Sequence, residues 1–115
     1  MLSKKIAIIA GEPSGDIMGA ELIHEFKYLY NNIEILGVGG KELSKLGLKS
    51  IFPIDRVSYI GPWDIIKNVN TIRKLIKITV ETIIRSKPDI LVIIDCPEFS
   101  HRVAKRVRRN SPEIP

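Results

Sequence analysis

Residues 6–16 read IAIIAGEPSGD and join a short apolar run to a glycine-rich turn. An unbroken apolar run such as Ile6 to Ala10 is typical of a strand buried on both faces of a parallel sheet. Apolar residues at helical spacing follow the turn, at Ile17, Ala20, Ile23, Phe26 and Tyr30. The stretch therefore predicts a strand, a turn and a helix, which is the first unit of an α/β fold.

The same alternation continues along the chain. Further apolar runs predict strands at residues 33–38, 50–54 and 89–94, and amphipathic segments predict helices at 42–46, about 62–86 and about 99–109. Alternating strands and helices predict a Rossmann-like parallel sheet with helices on both faces. In the 3-2-1-4 strand order of such sheets, the first and fourth strands are neighbours.

Composition is that of a soluble globular chain with one domain at most. The 115 residues are 44% hydrophobic and 27% charged, which argues against disorder. Cys96 is the single cysteine, so no disulfide can form within the chain. The N-terminal apolar run is shorter than the core of a signal peptide, and no stretch approaches the ~20 apolar residues that cross a bilayer.

The turn after the first strand is the first candidate site. It lies where doubly wound sheets bind ligands, at the carboxyl ends of their strands. Ser14, Gly15 and Asp16 are predicted to bind substrate at the helix N-terminus. Capping of the helix is an equal alternative for Ser14 and Asp16. Glu12 lies too early in the turn for a cap, which favours a ligand or a cross-loop contact.

Two common nucleotide motifs do not fit this turn. A Walker A loop needs lysine after its last glycine, but Asp16 follows Gly15, and an acid would repel a triphosphate. The glycines at 11, 15 and 19 also lack the spacing of the dinucleotide fingerprint. The turn therefore argues against mononucleotide kinases and classical dehydrogenases.

Asp95 is the second candidate site. It follows the apolar residues Leu91 to Ile94, so the carboxylate is expected at a strand end, partly desolvated and able to act as a base. Capping of the next helix, or binding of loop amides, is an equal alternative. If the first and fourth strands are neighbours, Glu12 and Asp95 share one cleft.

The long helix is expected to leave apolar surface uncovered. Trp63, Leu75 and Ile78 lie off its main apolar stripe, and Lys67 and Arg73 flank that stripe. A basic amphipathic helix of this kind can lie at a membrane interface, and packing against another domain is the alternative. The predicted membrane or acyl-chain docking residues are Trp63, Ile66, Lys67 and Arg73.

The remaining chemistry-bearing residues suggest no further site. His24 and His101 have no partner at metal-ligand spacing and are assigned structural or solvent roles, and Cys96 is assigned to packing.

Residues 98–115 carry five basic side chains against two acidic ones, which is over half of the net charge of +5. This segment is interpreted as a solvated helix face, or as a surface that binds anionic lipid or nucleic acid.

Four segments together resemble the lipid-A-disaccharide synthase family. Residues 8–20 resemble the family's opening, GVGG at 37–40 its second strand end, and YIG at 59–61 its step before the long helix. The fourth, Pro88-Asp89 followed by IDCPEFS at 94–100, is similar to the family's "PD…IDAPDFN" segment. The resemblance spans nearly the whole chain in order.

The resemblance implies a GT-B glycosyltransferase, a hexosyltransferase built of two Rossmann-like domains. It joins UDP-2,3-diacylglucosamine to 2,3-diacylglucosamine 1-phosphate in lipid A biosynthesis, with no metal or organic cofactor. Asp95 matches the family's proposed general base, and Glu12 matches a glutamate of the same site. The acylated substrates imply a Gram-negative bacterium and peripheral contact with the cytosolic face of its inner membrane, with no nucleic-acid partner.

Three departures qualify what the resemblance implies. Glu98 stands where aspartate is usual, and Ser100 where asparagine is usual. The chain also ends where the next strand is expected, so residues 1–115 are predicted to be a partial, acceptor-side N-terminal domain without the UDP-sugar-binding domain. Alone it is expected to be inactive, unless a second chain completes the enzyme. The alternative is a non-catalytic module that binds anionic lipid or nucleic acid through its basic C-terminal helix.

Overall fold

The computed structural model describes residues 3–56 and 69–115 and has an α/β architecture. The strands are β1 (Ser3–Ile9), β2 (Asn32–Val38) and β3 (Ile90–Ile93). The helices are α1 (Pro13–Leu29), α2 (Lys41–Lys45), α3 (Val69–Ser86) and α4 (Pro97–Asn110), with a 3₁₀ turn at Ile54–Arg56.

The three strands form a parallel sheet in the order β2-β1-β3. Ile6 pairs with Ile35 on one side and with Ile90 on the other, and Ile9 pairs with Val38 and Ile93. The predicted adjacency of the first and last strands is confirmed, so the turns that follow β1 and β3 lie side by side.

Helices cover both faces of the sheet, as predicted. Side chains alternate along β1, so Ile6, Ile8 and Ala10 pack with Ile23 of α1 and Leu43 of α2. The other face belongs to α3 and α4, and its buried cluster includes Ala7, Ile9, Ile76, Ile83, Phe99 and Val103. Because both faces of β1 are buried, its sequence is continuously apolar rather than alternating.

The predicted strand at residues 50–54 is wrong. A single bridge joins Ser50 to Gly37 at the end of β2, and the chain then turns into the 3₁₀ segment. The Ser50 hydroxyl accepts a hydrogen bond from the Gly39 N–H at 3.1 Å and donates one to the Phe52 carbonyl at 2.6 Å. These local bonds and Pro53, which has no N–H to donate, end the pairing after one residue.

The apolar stripe predicted for the first helix is only partly correct. Ile23 is buried, but the Ile17 side chain is 52% exposed, and Gly15 and Gly19 face the sheet instead. A Cβ on Gly19 would lie 3.0 Å from Ile8 Cδ1. The helix therefore approaches the sheet through small residues rather than through the largest apolar ones.

The surface left uncovered by α3 is smaller than predicted. Leu75 is 7% exposed and belongs to the core, whereas Ile78 is 48% exposed. Leu75 is buried because α3 packs against α4 as well as against the sheet. The start of the predicted long helix lies outside the described residues, and so do the YIG motif, Trp63, Ile66 and Lys67.

Candidate active site

The Asp95 carboxylate is held by the backbone of the turn after β1. The Gly11 N–H donates to Oδ1 at 2.6 Å, and the Glu12 N–H donates to Oδ2 at 3.1 Å. The Ile94 N–H donates to the Ile9 carbonyl at 3.0 Å, which brings the two strand ends together. Asp95 therefore sits at the N-terminus of α1, where the helix dipole and free amides favour an anion.

Gly15 makes room for this carboxylate. A Cβ on Gly15 would lie 1.8 Å from Asp95 Oδ2 and 2.7 Å from its Cγ, and neither distance is compatible with a side chain. Gly15 was predicted to bind substrate at the start of the helix. In the structure the group that approaches is the side chain of Asp95, and a role of Gly15 toward substrate stays a prediction.

Asp16 is bound to a different helix from the one that carries it. Its carboxylate accepts hydrogen bonds from the backbone N–H groups of Gly40, Glu42 and Leu43, at 2.8 to 3.1 Å. These amides open α2, and Asp16 is 3% exposed. Asp16 thus caps the second helix, which explains an acid at this position without a ligand.

Capping of α1 by its own side chains, the alternative weighed for Ser14 and Asp16, is wrong. Glu12 occupies the N-cap position, contrary to its assignment as too early, and no side chain makes a capping hydrogen bond. Ser14 is exposed in the first turn. Its predicted contact with substrate stays a prediction.

Glu12 and Cys96 face each other across the two turns. Cys96 Sγ lies 4.0 Å from Glu12 Oε1, within reach of a weak S–H···O hydrogen bond. Burial, and then the negative charges of Asp95 and Glu12, raise the pKa of the Cys96 thiol to about 12. The thiol is therefore protonated at neutral pH, which agrees with its assignment to packing rather than to nucleophilic chemistry.

A cleft of about 210 Å³ opens beside Asp95. Its lining is Ile93, Ile94, Asp95, Pro97, Ser100 and His101. The volume is below the ~300–1,000 Å³ typical of a pocket for a whole ligand, so the cleft can enclose only part of one. His101 was assigned a structural or solvent role. In the sequence, Pro97 and His101 lie one helical turn apart, and this spacing indicates that both lie on the same face of α4.

Arg73 lies away from this cleft. It is exposed on α3 and lines a separate groove between α3 and α4. Within the described ranges, no three or more histidine, cysteine, aspartate or glutamate side chains are grouped so that they could hold a metal ion. No helix in those ranges is both long and apolar enough to cross a bilayer.

Sequence comparison connects this geometry to a family. The family model described as lipid-A-disaccharide synthetase matches residues 6–115. The chain belongs to this family of lipid A biosynthesis glycosyltransferases. The match includes both turns that meet at Asp95, so the resemblance inferred from the separate motifs is confirmed.

Individual relatives carry the same description. The chain is 44% identical to the lipid-A-disaccharide synthase of Rhodopseudomonas palustris over 113 residues, which is 97% of this chain. It is 44% identical to that of Rickettsia bellii and 46% identical to that of Rickettsia typhi, each over 112 residues. The chain spans 29% of the length of each of these relatives.

Proposed function

We propose that this chain forms the acceptor side of a lipid-A-disaccharide synthase. The whole enzyme transfers the sugar of UDP-2,3-diacylglucosamine to 2,3-diacylglucosamine 1-phosphate, and residues 1–115 contribute the first part of its N-terminal domain. The observation that carries the proposal is the Asp95 carboxylate, fixed by the Gly11 and Glu12 amides at the edge of a cleft.

Asp95 acts as the general base in this proposal. Each carboxylate oxygen has two lone-pair sites, so one amide bond on each oxygen leaves room for a substrate hydroxyl. The acceptor hydroxyl transfers its proton to Asp95 while its oxygen attacks the anomeric carbon of the donor sugar. The bond from that carbon to UDP breaks, and UDP leaves with the electron pair. The two amides hold the base in place, which reduces the entropy lost in reaching the transition state.

Glu12 adds a second carboxylate next to Asp95, although it does not line the 210 Å³ cleft itself. Its backbone N–H binds Asp95, and its side chain lies beside Cys96. In this position it orients the acceptor by accepting a hydrogen bond from a further sugar hydroxyl. Ser14, exposed on the first turn of α1, contacts the same substrate in this proposal. Gly15 and Asp16 support the site through Asp95 and α2.

The donor is bound outside residues 1–115 in this proposal. A polypeptide of these residues alone transfers no sugar, because a GT-B enzyme encloses the donor between two domains. A second chain that supplies the remaining length would restore the reaction. Peripheral contact with the cytosolic face of the inner membrane, through the docking residues predicted from the sequence (Trp63, Ile66, Lys67 and Arg73), gives access to acylated substrates.

A chimera tests the assignment of the base. Residues 1–115 replace the matching segment of the Rickettsia bellii protein, and disaccharide formation is measured with Asp95→Asn and with Asp55→Asn, an exposed aspartate, as the matched control. We expect Asp95→Asn to lower kcat by about 10²–10⁴, the typical contribution of a general base, and Asp55→Asn to leave kcat unchanged. Full kcat in a folded Asp95→Asn chimera would exclude Asp95 as the base. Product from the isolated 115 residues would exclude the proposed inactivity.

A further inference from the structure

A groove of about 380 Å³ lies between α3 and α4, apart from the Asp95 cleft. We name it the basic groove. Its floor is apolar and consists of Val69, Ile72 and Ile76. Its walls carry five cationic side chains, Arg73, Arg102, Lys105, Arg106 and Arg109, and none of the lining residues in the described ranges is acidic.

The cations of this groove lack counter-ions within the chain as described. Across residues 3–56 and 69–115, the ion pairs join Lys5 to Glu34 and Lys45 to Glu42, so no carboxylate in those ranges neutralises the groove. Arg102 donates to the Glu98 carbonyl of its own helix, which fixes the side chain but leaves its charge unbalanced. The groove therefore concentrates positive charge.

Helix stability does not explain the arrangement. The four cations of α4 are spaced three and four residues apart, so they form like-charge pairs that destabilise a helix. Arg109 in the last turn does interact favourably with the helix dipole. Arg102, in the first half of α4, and Arg73 on α3 gain nothing from that effect. Charges that repel each other in the free protein are better explained by a bound anion.

We propose that the basic groove binds the phosphate headgroup of an acidic phospholipid at a membrane surface. Guanidinium groups match phosphate oxygens in geometry and charge. The apolar floor favours a lipid over a soluble phosphate, since Val69 is 38% exposed and offers contact to the glycerol and upper acyl carbons. This inference deepens the proposed membrane contact, but it does not depend on the transfer reaction.

Vesicle binding of the 115-residue chain tests the proposal without donor or acceptor sugar. Vesicles of phosphatidylcholine are compared with vesicles that also contain phosphatidylglycerol, and binding is measured by co-sedimentation. The groove variant is Arg106→Gln with Arg109→Gln. The control is Arg85→Gln with Arg108→Gln, which removes the same charge from exposed positions of the same two helices outside the groove.

We expect the wild-type chain to bind only the phosphatidylglycerol vesicles. The groove variant should bind them about 25-fold more weakly, at about fivefold for each basic residue near an anionic surface, and the control should lose clearly less. Both variants should melt within a few degrees of wild type, because the relieved like-charge repulsion and the lost interaction of last-turn cations with the helix dipole are both small. If the groove variant and the control lose equal affinity for the vesicles, binding is due to diffuse electrostatic attraction and not to the groove. Displacement of the chain by millimolar glycerol phosphate would assign the groove to a soluble phosphate. Either result overturns the proposal, and neither bears on sugar transfer.

Discussion

Substitution of Gly15 by alanine should release Asp95 from its place at the start of α1. The added Cβ would overlap Asp95 Oδ2 at 1.8 Å, so the carboxylate must leave the amides of Gly11 and Glu12. A hydrogen bond to a charged group contributes about 1.5–3 kcal/mol, and the turn can relax to keep part of that energy. Alanine is the better helix former by up to about 1 kcal/mol. We expect a net loss of about 2–4 kcal/mol in the free energy of unfolding.

A double-mutant cycle isolates the cause of this loss. Urea denaturation is followed by circular dichroism for Gly15→Ala, Asp95→Ala and the double variant, with Ser14→Ala as an exposed control in the same helical turn. In the Asp95→Ala background the clash is gone, and the nearest remaining neighbour of the new Cβ, Ile94 Cγ2 at 3.4 Å, is an ordinary contact. Gly15→Ala should then be neutral or stabilising. An equal loss in both backgrounds would refute the explanation.

Three further outcomes follow from the same contacts. Asp16→Asn should lower the free energy of unfolding by about 1–3 kcal/mol in urea denaturation, because the charge that three α2 amides bind is lost; unchanged stability would contradict this. Cys96 should react with iodoacetamide at pH 8 about a thousandfold more slowly than an ordinary thiol, because a pKa of about 12 rather than 9.0 keeps it protonated until the pH rises toward that value. Equal alkylation rates for folded and urea-unfolded chain would exclude this. Phe99→Ala should destabilise by about 3–5 kcal/mol in thermal melts, since Phe99 is fully buried against Phe52, and a loss below 1 kcal/mol would contradict that packing.

The parallel sheet was predictable because burial on both faces leaves a strong local signal. Residues 6–10 and 90–94 are apolar without alternation, and strands are found at both, although only β1 is buried on both faces and β3 is half-buried, contrary to expectation. The apolar residues at 50–54 led to a wrong prediction, because the Ser50 hydrogen bonds and Pro53 prevent this segment from pairing as a strand. Apolar content alone does not decide whether a backbone pairs.

The candidate site was predictable to the level of strand ends, and no further. That Glu12 and Asp95 meet follows from strand order, which the alternation of elements indicated. The contact is made by the Glu12 backbone N–H, and Gly15 accommodates a carboxylate rather than a ligand. Both features depend on distances between segments some 80 residues apart. Arg73 and the basic C-terminal helix were each predicted as lipid-binding surfaces, but their meeting in one groove was not, because Arg73 joins the α4 cations only when two helices pack.

Local sequence thus determined most of the strands and helices (the segment at 50–54 excepted), their arrangement as a parallel α/β sheet, and the family to which the chain belongs. Apolar periodicity and the Gly-Glu-Pro-Ser-Gly-Asp turn depend only on residues close together in the sequence, so they can be recognised without the structure. Tertiary structure alone decided that Asp16 caps α2, that Leu75 is core, and that five cations surround one groove. Those outcomes depend on which surfaces meet, and packing between distant segments settles that.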